Sequence, residues 1–356
     1  MPLVAHNNLP TFQRLKESGQ EVLSLERAVH QDIRELHIGF LNMMPDAALA
    51  ATEQQFIRMV GNANPIAQFF VYPFSLPELN RDAEAKAHIA QHYFDFDQLK
   101  EQGLDALIIT GANVANPSLD QEAFWDPLMK IAHWAEDNVA SVLCSCLATH
   151  ALLKHHYGID RRRLPRKQWG IYNHKVKVPN HPLVRDVNTR FDAPHSRYNE
   201  ITEEQLEAAG LAVLATSDHA GVHLAVSPDM FRVVYFQGHP EYDAVSLLKE
   251  YKREVLRYFK GERDDGPRYP ENYLPPEAEE ITKRYFAEAH NALKRGLKLP
   301  DFPEAELATL VDNTWGDTGK AIVNNWLGLV YRLTNLDRKL QFMPGIDPDD
   351  PLGLKK

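Results

Sequence analysis

The sequence predicts an α/β fold, a three-layer sandwich around a mostly parallel central sheet. Three observations lead there. Several short runs are rich in Val, Ile, Leu and Phe throughout rather than alternating, as strands buried on both faces are. Amphipathic helical patterns lie between most of the early runs, as crossovers between parallel strands require. And 44% of the 356 residues are apolar and 10% aromatic, which supplies a large core.

In chain order the expected strands are LHIGFLNMM with Pro45 just past it, FFVYPF, ALIITGA, SVLCSC, LAVLATS, VHLAVS and RVVYFQG. Helical patterns such as TEQQFIRMVG and EAFWDPLMKIAHWAEDN fall between them. LAVLATS and VHLAVS flank a short turn containing Gly221 and read as an antiparallel hairpin attached to the sheet. A helix over about 244–260 carries Leu247, Leu248, Tyr251, Val255 and Tyr258. Prolines and glycines then interrupt the pattern in GERDDGPRYPENYLPPE, and two more helices follow near 276–296 and 319–335. The expected organisation is an N-terminal extension (1–35), a core (36–262), a C-terminal helical part packed on the core (263–340) and a flexible tail (341–356).

Composition excludes several function classes. A formal charge of −10 argues against a footprint for nucleic acid or an anionic membrane. No run approaches the roughly 18 apolar residues of a membrane span, and the first 31 residues mix polar and charged groups instead of forming a secretory signal. The two cysteines, Cys144 and Cys146, stand one residue apart, so they form no ordinary disulfide framework, and no spacing resembles a zinc site. Small-molecule partners, no metal and a cytoplasmic setting are expected.

Both cysteines lie where the apolar run SVLCSC gives way to helical LATHALLKHHYG. Ligands in open α/β sheets bind beyond the carboxyl ends of the strands. Cys146, at the first turn of the helix, is placed where unpaired N–H groups and the helix dipole favour a thiolate. Cys144 is read as core and Cys146 as the candidate nucleophile. Those ten residues alone leave open that both are small buried apolar side chains.

A base is available in RVVYFQGHPEYD, where a strand ends at Gly238 and His239 is followed by rigid Pro240 and by Glu241. An imidazole that takes the thiol proton and a carboxylate that orients the ring are what a thiol nucleophile needs. His150, His155 and His156, further along the helix, are read as surface or packing residues. In DAPHSRYNE, a non-periodic polar segment, Ser196 and Arg197 are candidates to hold a polar substrate, Arg by a bidentate match to a carboxylate. Lys167, from the basic run RRRLPRK, and Arg253, one turn past Lys249, are further cations for that purpose.

Taken together, LNMMP, TEQQF, ITGA, YGI, APHSRY, GHPEYD and NNWL, in this order between about residues 35 and 340, resemble the homoserine O-succinyltransferases, a family built on the class I glutamine amidotransferase-like fold. The resemblance implies that Cys146 carries an acyl thioester, that His239 is the proton acceptor and Glu241 the third member of the site. It implies that Lys167, Ser196 and Arg253 contact substrate, with Glu250 close by, and it suggests a homodimer. The substrates implied are succinyl-CoA, as co-substrate with no cofactor, and L-homoserine.

Two positions depart from the family pattern. The lysine that follows NLMP in relatives and helps form the oxyanion site has no counterpart in MMPDAALAATEQQF, so backbone donors are expected to carry that charge. After ITGA, where relatives carry Glu for acetyl and Gly for succinyl transfer, this chain has Ala115, small and uncharged and with no Glu there to repel a succinyl carboxylate. Acetyl transfer to homoserine or serine is the alternative within the family. A glutamine-hydrolysing enzyme and a non-catalytic binder of acyl-CoA or amino acid are the alternatives outside it.

Overall fold

The central strands show why the chain must fold as a sandwich: every residue of Gln68–Phe74, Ala106–Ile109 and Ser141–Ser145 is buried, so both faces of the sheet need cover. The computed structural model describes residues 3–63 and 67–355. Its strands are β1 (Leu3–Ala5), β2 (Val22–Ser24), β3 (Glu35–Leu41), β4 (Gln68–Phe74), β5 (Ala106–Ile109), β6 (Ser141–Ser145), β7 (Arg162–Val176), β8 (Arg190–Glu200), β9 (Ala212–Ser217), β10 (Gly221–Val226) and β11 (Val233–Phe236). The helices are α1 (Pro10–Glu17), α2 (Leu25–Val29), α3 (Asp46–Gly61), α4 (Ala83–His92), α5 (Phe96–Gln102), α6 (Trp125–Asn138), α7 (Leu147–Tyr157), α8 (Glu203–Ala208), α9 (Ser246–Phe259), α10 (Pro276–Lys294), α11 (Glu304–Ala308) and α12 (Gly316–Leu333).

The strands form one sheet in the order β2-β1-β4-β3-β5-β6-β11-β10-β9-β7-β8. From β2 to β11 all neighbours are parallel; from β11 to β8 all are antiparallel. The α/β sandwich and the β9–β10 hairpin are as expected. The first 35 residues extend the sheet itself, adding β1 and β2 beyond β4.

One apolar cluster on the sheet gathers Phe12, Phe56, Val60 and Trp326, from α1, α3 and α12. A second gathers Leu128, Ile131, Leu152 and Leu153, from α6 and α7. A third joins α9, α10 and α11 to Trp169 and Ile171 of β7. So the C-terminal part divides: α12 covers the central sheet, and α10 and α11 build onto α9.

Two expectations are corrected. The basic run RRRLPRK, from Arg162 on, and the segment DAPHSRYNE, read as non-periodic, lie in β7 and β8, a long antiparallel ribbon at the sheet edge. The ribbon's exposed charges, Pro165 and a register shift between Arg163 and Gln168 hide the period-two pattern that a half-buried strand shows. The tail is not loose either. Phe342, Ile346 and Leu352 pack on the sheet cluster, and the Met343 N–H donates to the Leu333 carbonyl at 2.9 Å.

Candidate active site

Cys146 is the single residue between β6 and α7, and its backbone is strained, with φ 53° and ψ −107°. A non-glycine residue in the positive-φ region costs on the order of 1–3 kcal/mol and persists only where its surroundings over-determine it. Here the Cys146 N–H donates to the Phe236 carbonyl at 2.8 Å, pinning the turn to the end of β11. The turn leaves the Cys146 thiol half-buried at the carboxyl edge of the sheet, while Cys144 is sealed in the core, where burial pushes its thiol pKa up. The loop leaving β5 closes over the turn: a Cβ on Gly111 would lie 3.7 Å from Cys146 Cβ, Leu147 N and Met44 Sδ.

His239 follows β11. Its N–H donates to the Pro194 carbonyl at 2.8 Å, its Nδ1 meets Glu241 Oε1 at 2.8 Å, and its ring stacks on Tyr242 at 4.3 Å. The Nδ1 contact fixes Nδ1 as a donor and turns Nε2 away from Glu241. Nε2 is buried and makes no hydrogen bond of ordinary geometry among the described residues, yet the Cys146 sulfur acts on it. Burial pulls the ring's pKa down, but the Glu241 carboxylate and the Cys146 sulfur outweigh it and hold it well above the ordinary histidine value. The site therefore favours an imidazolium at His239. Cys146, His239 and Glu241, expected from two distant segments to be nucleophile, proton acceptor and orienting carboxylate, lie together.

Behind this loop stand His174, His195 and His223, all buried, each with a ring nitrogen within 4.8 Å of the others'. Their hydrogen-bond polarity can be assigned. Arg197 Nε can only donate, so His195 Nδ1 accepts from it at 3.3 Å and Nε2 carries the proton. That proton goes to His174 Nε2 at 3.0 Å, and His174 Nδ1–H goes to the Tyr172 carbonyl at 2.8 Å. His195 and His174 thus spend their facing nitrogens on this relay, whereas His223 Nδ1 is buried with no hydrogen-bond partner among the described residues. The trio backs the His239 loop: a Cβ on Gly238 would come within 2.5 Å of His223 Nδ1 and 2.9 Å of His195 Nε2, so only glycine lets His239 sit this close to it.

Beside the site lies a second polar network centred on Glu250. Lys167 Nζ at 2.8 Å and Ser196 Oγ at 2.6 Å both donate to Glu250 Oε2, and the Tyr242 hydroxyl donates to Oε1 at 2.7 Å. Burial works against the carboxylate, but Lys167, Ser196 and Tyr242 outweigh it and lower its pKa to about 2. Arg253, on the next turn of α9, is exposed and borders the same cavity as Glu250, Tyr242 and Met44.

The family model described as homoserine O-succinyltransferase matches residues 2–336. The chain belongs to the homoserine O-succinyltransferase family. The homoserine O-succinyltransferase of Methylococcus capsulatus is 60% identical to it over 99% of this chain and 100% of its own. That of Thiothrix nivea is 61% identical over 100% of this chain and 99% of its own. Among solved structures, a glutamine amidotransferase from Thermotoga maritima has 13% identity and a TM-score of 0.45, covering 83% of this chain and 98% of its own. That overlap is too loose to carry an argument, and the α/β assignment rests on the sheet described above.

Against this family background two site expectations are corrected. Arg197 is not open to a substrate: it is buried and gives its donors to His195, to the Asn199 carbonyl at 2.9 Å and to the Ala220 carbonyl. Nor is the loop at Ala115 free of carboxylate, because it folds back so that the Ala115 and Asn116 N–H groups donate to Glu122 Oε1 at 2.8 and 2.6 Å. A carboxylate seven positions along carries no local signal of that approach. Sequence reasoning also passed over Arg161, hidden in the basic run, whose guanidinium feels the charges of Glu122 and Cys146. It passed over Arg81 as well, which binds the Met44 and Asn42 carbonyls and Asp46 and so holds the segment before α3 against the site.

Proposed function

We propose that this chain is a homoserine O-succinyltransferase of methionine biosynthesis, moving a succinyl group from succinyl-CoA to the hydroxyl of L-homoserine through a thioester on Cys146. The observation that carries the reading is the strained strand-to-helix position of Cys146 beside a His239 ring whose pKa is raised by Glu241 and by that sulfur. In the first half-reaction the Cys146 thiolate attacks the thioester carbonyl, the tetrahedral intermediate collapses, and the proton on His239 leaves with CoA as its thiol. Exchange of one thioester for another costs little free energy. Acylation removes the charge on sulfur and with it part of what holds the proton on His239. The neutral ring then takes the homoserine hydroxyl proton as that oxygen attacks, and Cys146 departs as thiolate, restoring the ion pair.

The negative charge on the tetrahedral oxygen falls to backbone donors. The first N–H groups of α7 lack intrahelical partners, and Leu147 N lies against the Gly111 loop. Lys167, Ser196 and Glu250 form the polar wall for homoserine, and Arg253 takes its carboxylate. Ala115 leaves room for the succinyl chain, and the Glu122 charge is met by two N–H groups and by Arg161. The same reading has the enzyme act in the cytoplasm as a homodimer, with acyl-CoA as co-substrate and no cofactor. Sedimentation at a monomer mass removes the homodimer.

Intact-mass measurement after mixing with succinyl-CoA tests the reaction. The expected result is a succinyl adduct that disappears on adding homoserine and never forms in Cys146→Ala. An adduct from acetyl-CoA but not succinyl-CoA replaces the donor, and ammonia release from glutamine without any adduct replaces the reaction.

A further inference from the structure

A cavity of about 510 Å³ opens between α3 and α9, and its inner end reaches Met44 and Tyr242, neighbours of the candidate site. Met44, whose sulfur lies against Gly111 on the loop that faces Cys146, and Tyr242, stacked on His239, close that end. From there one wall is a strip of small side chains on α3, Ala47, Ala48 and Ala51. The other wall is α9, which presents Lys249, Arg253, Arg257 and Lys260 along the cavity. Spacings of four, four and three keep these cations on one helix face, over a length of about 16 Å. All four are exposed, on a chain whose formal charge is −10.

The cations are not equally occupied. Arg257 meets Glu254 and Glu262, Arg253 Nε meets Glu254, and Lys252 meets Glu304. Lys249 and Lys260 have no hydrogen-bonding or ionic partner for their ammonium groups among the described residues. One stands near the mouth of the catalytic site and the other at the far end of the row. An apolar strip that starts at Met44, beside the loop facing Cys146, and runs out under unpaired cations fits a ligand with its reacting group at one end, a slender arm, and a multiply charged anion at the other.

We propose that this cleft is the acyl-CoA site, with the pantetheine arm along Ala47 and Ala51 and the nucleotide phosphates on Lys249 and Lys260. The inference rests on the proposed transfer from succinyl-CoA and adds where the donor lies. Glu250 and Arg253, which line this same cavity, stand where it meets the Lys167–Ser196 wall kept for the acceptor, so the two substrates share that junction in turn.

The test compares succinyl-CoA with succinyl-N-acetylcysteamine, a thioester that keeps the reacting end and lacks every phosphate. In Lys249→Ala/Lys260→Ala, KM for succinyl-CoA is expected to rise roughly 10-fold or more, with a weaker salt dependence than in the wild type. KM for the truncated thioester is expected to change less than about 2-fold, in keeping with solvent-exposed positions. Ala51→Phe, which fills the strip from an exposed position of α3, is expected to lower kcat/KM for succinyl-CoA by a similar factor. An unchanged KM for succinyl-CoA in the double variant, or an equal rise for both donors, overturns the proposal. A wild type that takes succinyl from neither donor sinks the functional reading beneath it, which is a different result.

Discussion

At the residue scale the site depends on a ring whose charge its neighbours sustain. His239 is buried, and burial alone would keep it neutral; Glu241 and Cys146 reverse that. Removing either should therefore move the ring's titration downward in pH. In Cys146→Ala the sulfur's share is lost, and in Glu241→Gln the carboxylate's share is lost while the hydrogen bond to Nδ1 remains possible through the amide oxygen. ¹⁵N-imidazole NMR across pH should show the His239 midpoint lower in both variants than in the wild type. Glu241→Gln should also lose roughly 10²- to 10⁴-fold in kcat, the scale of an impaired general acid–base step. Equal midpoints in the wild type and both variants would mean that the sulfur and the carboxylate do not set the ring's charge.

At the scale of elements, the catalytic loop is held by parts of the chain that arrive late. The Trp315 Nε1–H donates to the Tyr242 carbonyl at 2.8 Å, just before α12 begins. Within α12, Gly319 sits so close to the loop that a Cβ there would lie 2.8 Å from the Pro240 carbonyl oxygen and 3.1 Å from Pro240 Cβ. Gly319→Ala should thus push the peptide between His239 and Glu241. Alanine's better helix propensity, worth up to about 1 kcal/mol, offsets part of the strain. The thermal midpoint should move by only a few degrees, while kcat falls roughly 10-fold or more because small displacements of catalytic groups are costly. A variant with unchanged kcat and wild-type stability would show that α12 covers the sheet without supporting the loop.

At the scale of the whole molecule, the parallel half was legible because strands buried on both faces are continuous apolar runs, and Cys146 and His239 stand where such runs stop. The β7–β8 ribbon was not legible, since an edge strand with exposed Arg162, Arg163 and Arg166 reads as a solvated charge run. The Glu250 network joins positions 167, 196, 242 and 250, which share no local spacing; family likeness suggested Lys167, Ser196 and Glu250 but not Tyr242, and only the fold joins them. The same limit applies to Asp105, unremarkable in sequence. It lies before β5 with 4% of its surface exposed, and its Oδ2 accepts the His37 N–H at 2.7 Å. Burial raises its pKa to about 6, although the His37 N–H, Arg34 and Arg338 pull it back. In the unfolded chain it ionises near the ordinary aspartate value of about 3.9. The folded state thus holds the proton more tightly, so stability that is full below the unfolded value is lost as pH rises through the folded one. The loss reaches about 3 kcal/mol once both states are ionised. Asp105→Asn keeps an acceptor for His37 and removes the ionisation. Urea denaturation should find the variant more stable than the wild type, with a gain larger at pH 8 than at pH 5 by about 1 kcal/mol. A gain that is the same at both pH values, or a variant weakened at pH 8, would show that the buried carboxylate is not held against its own charge.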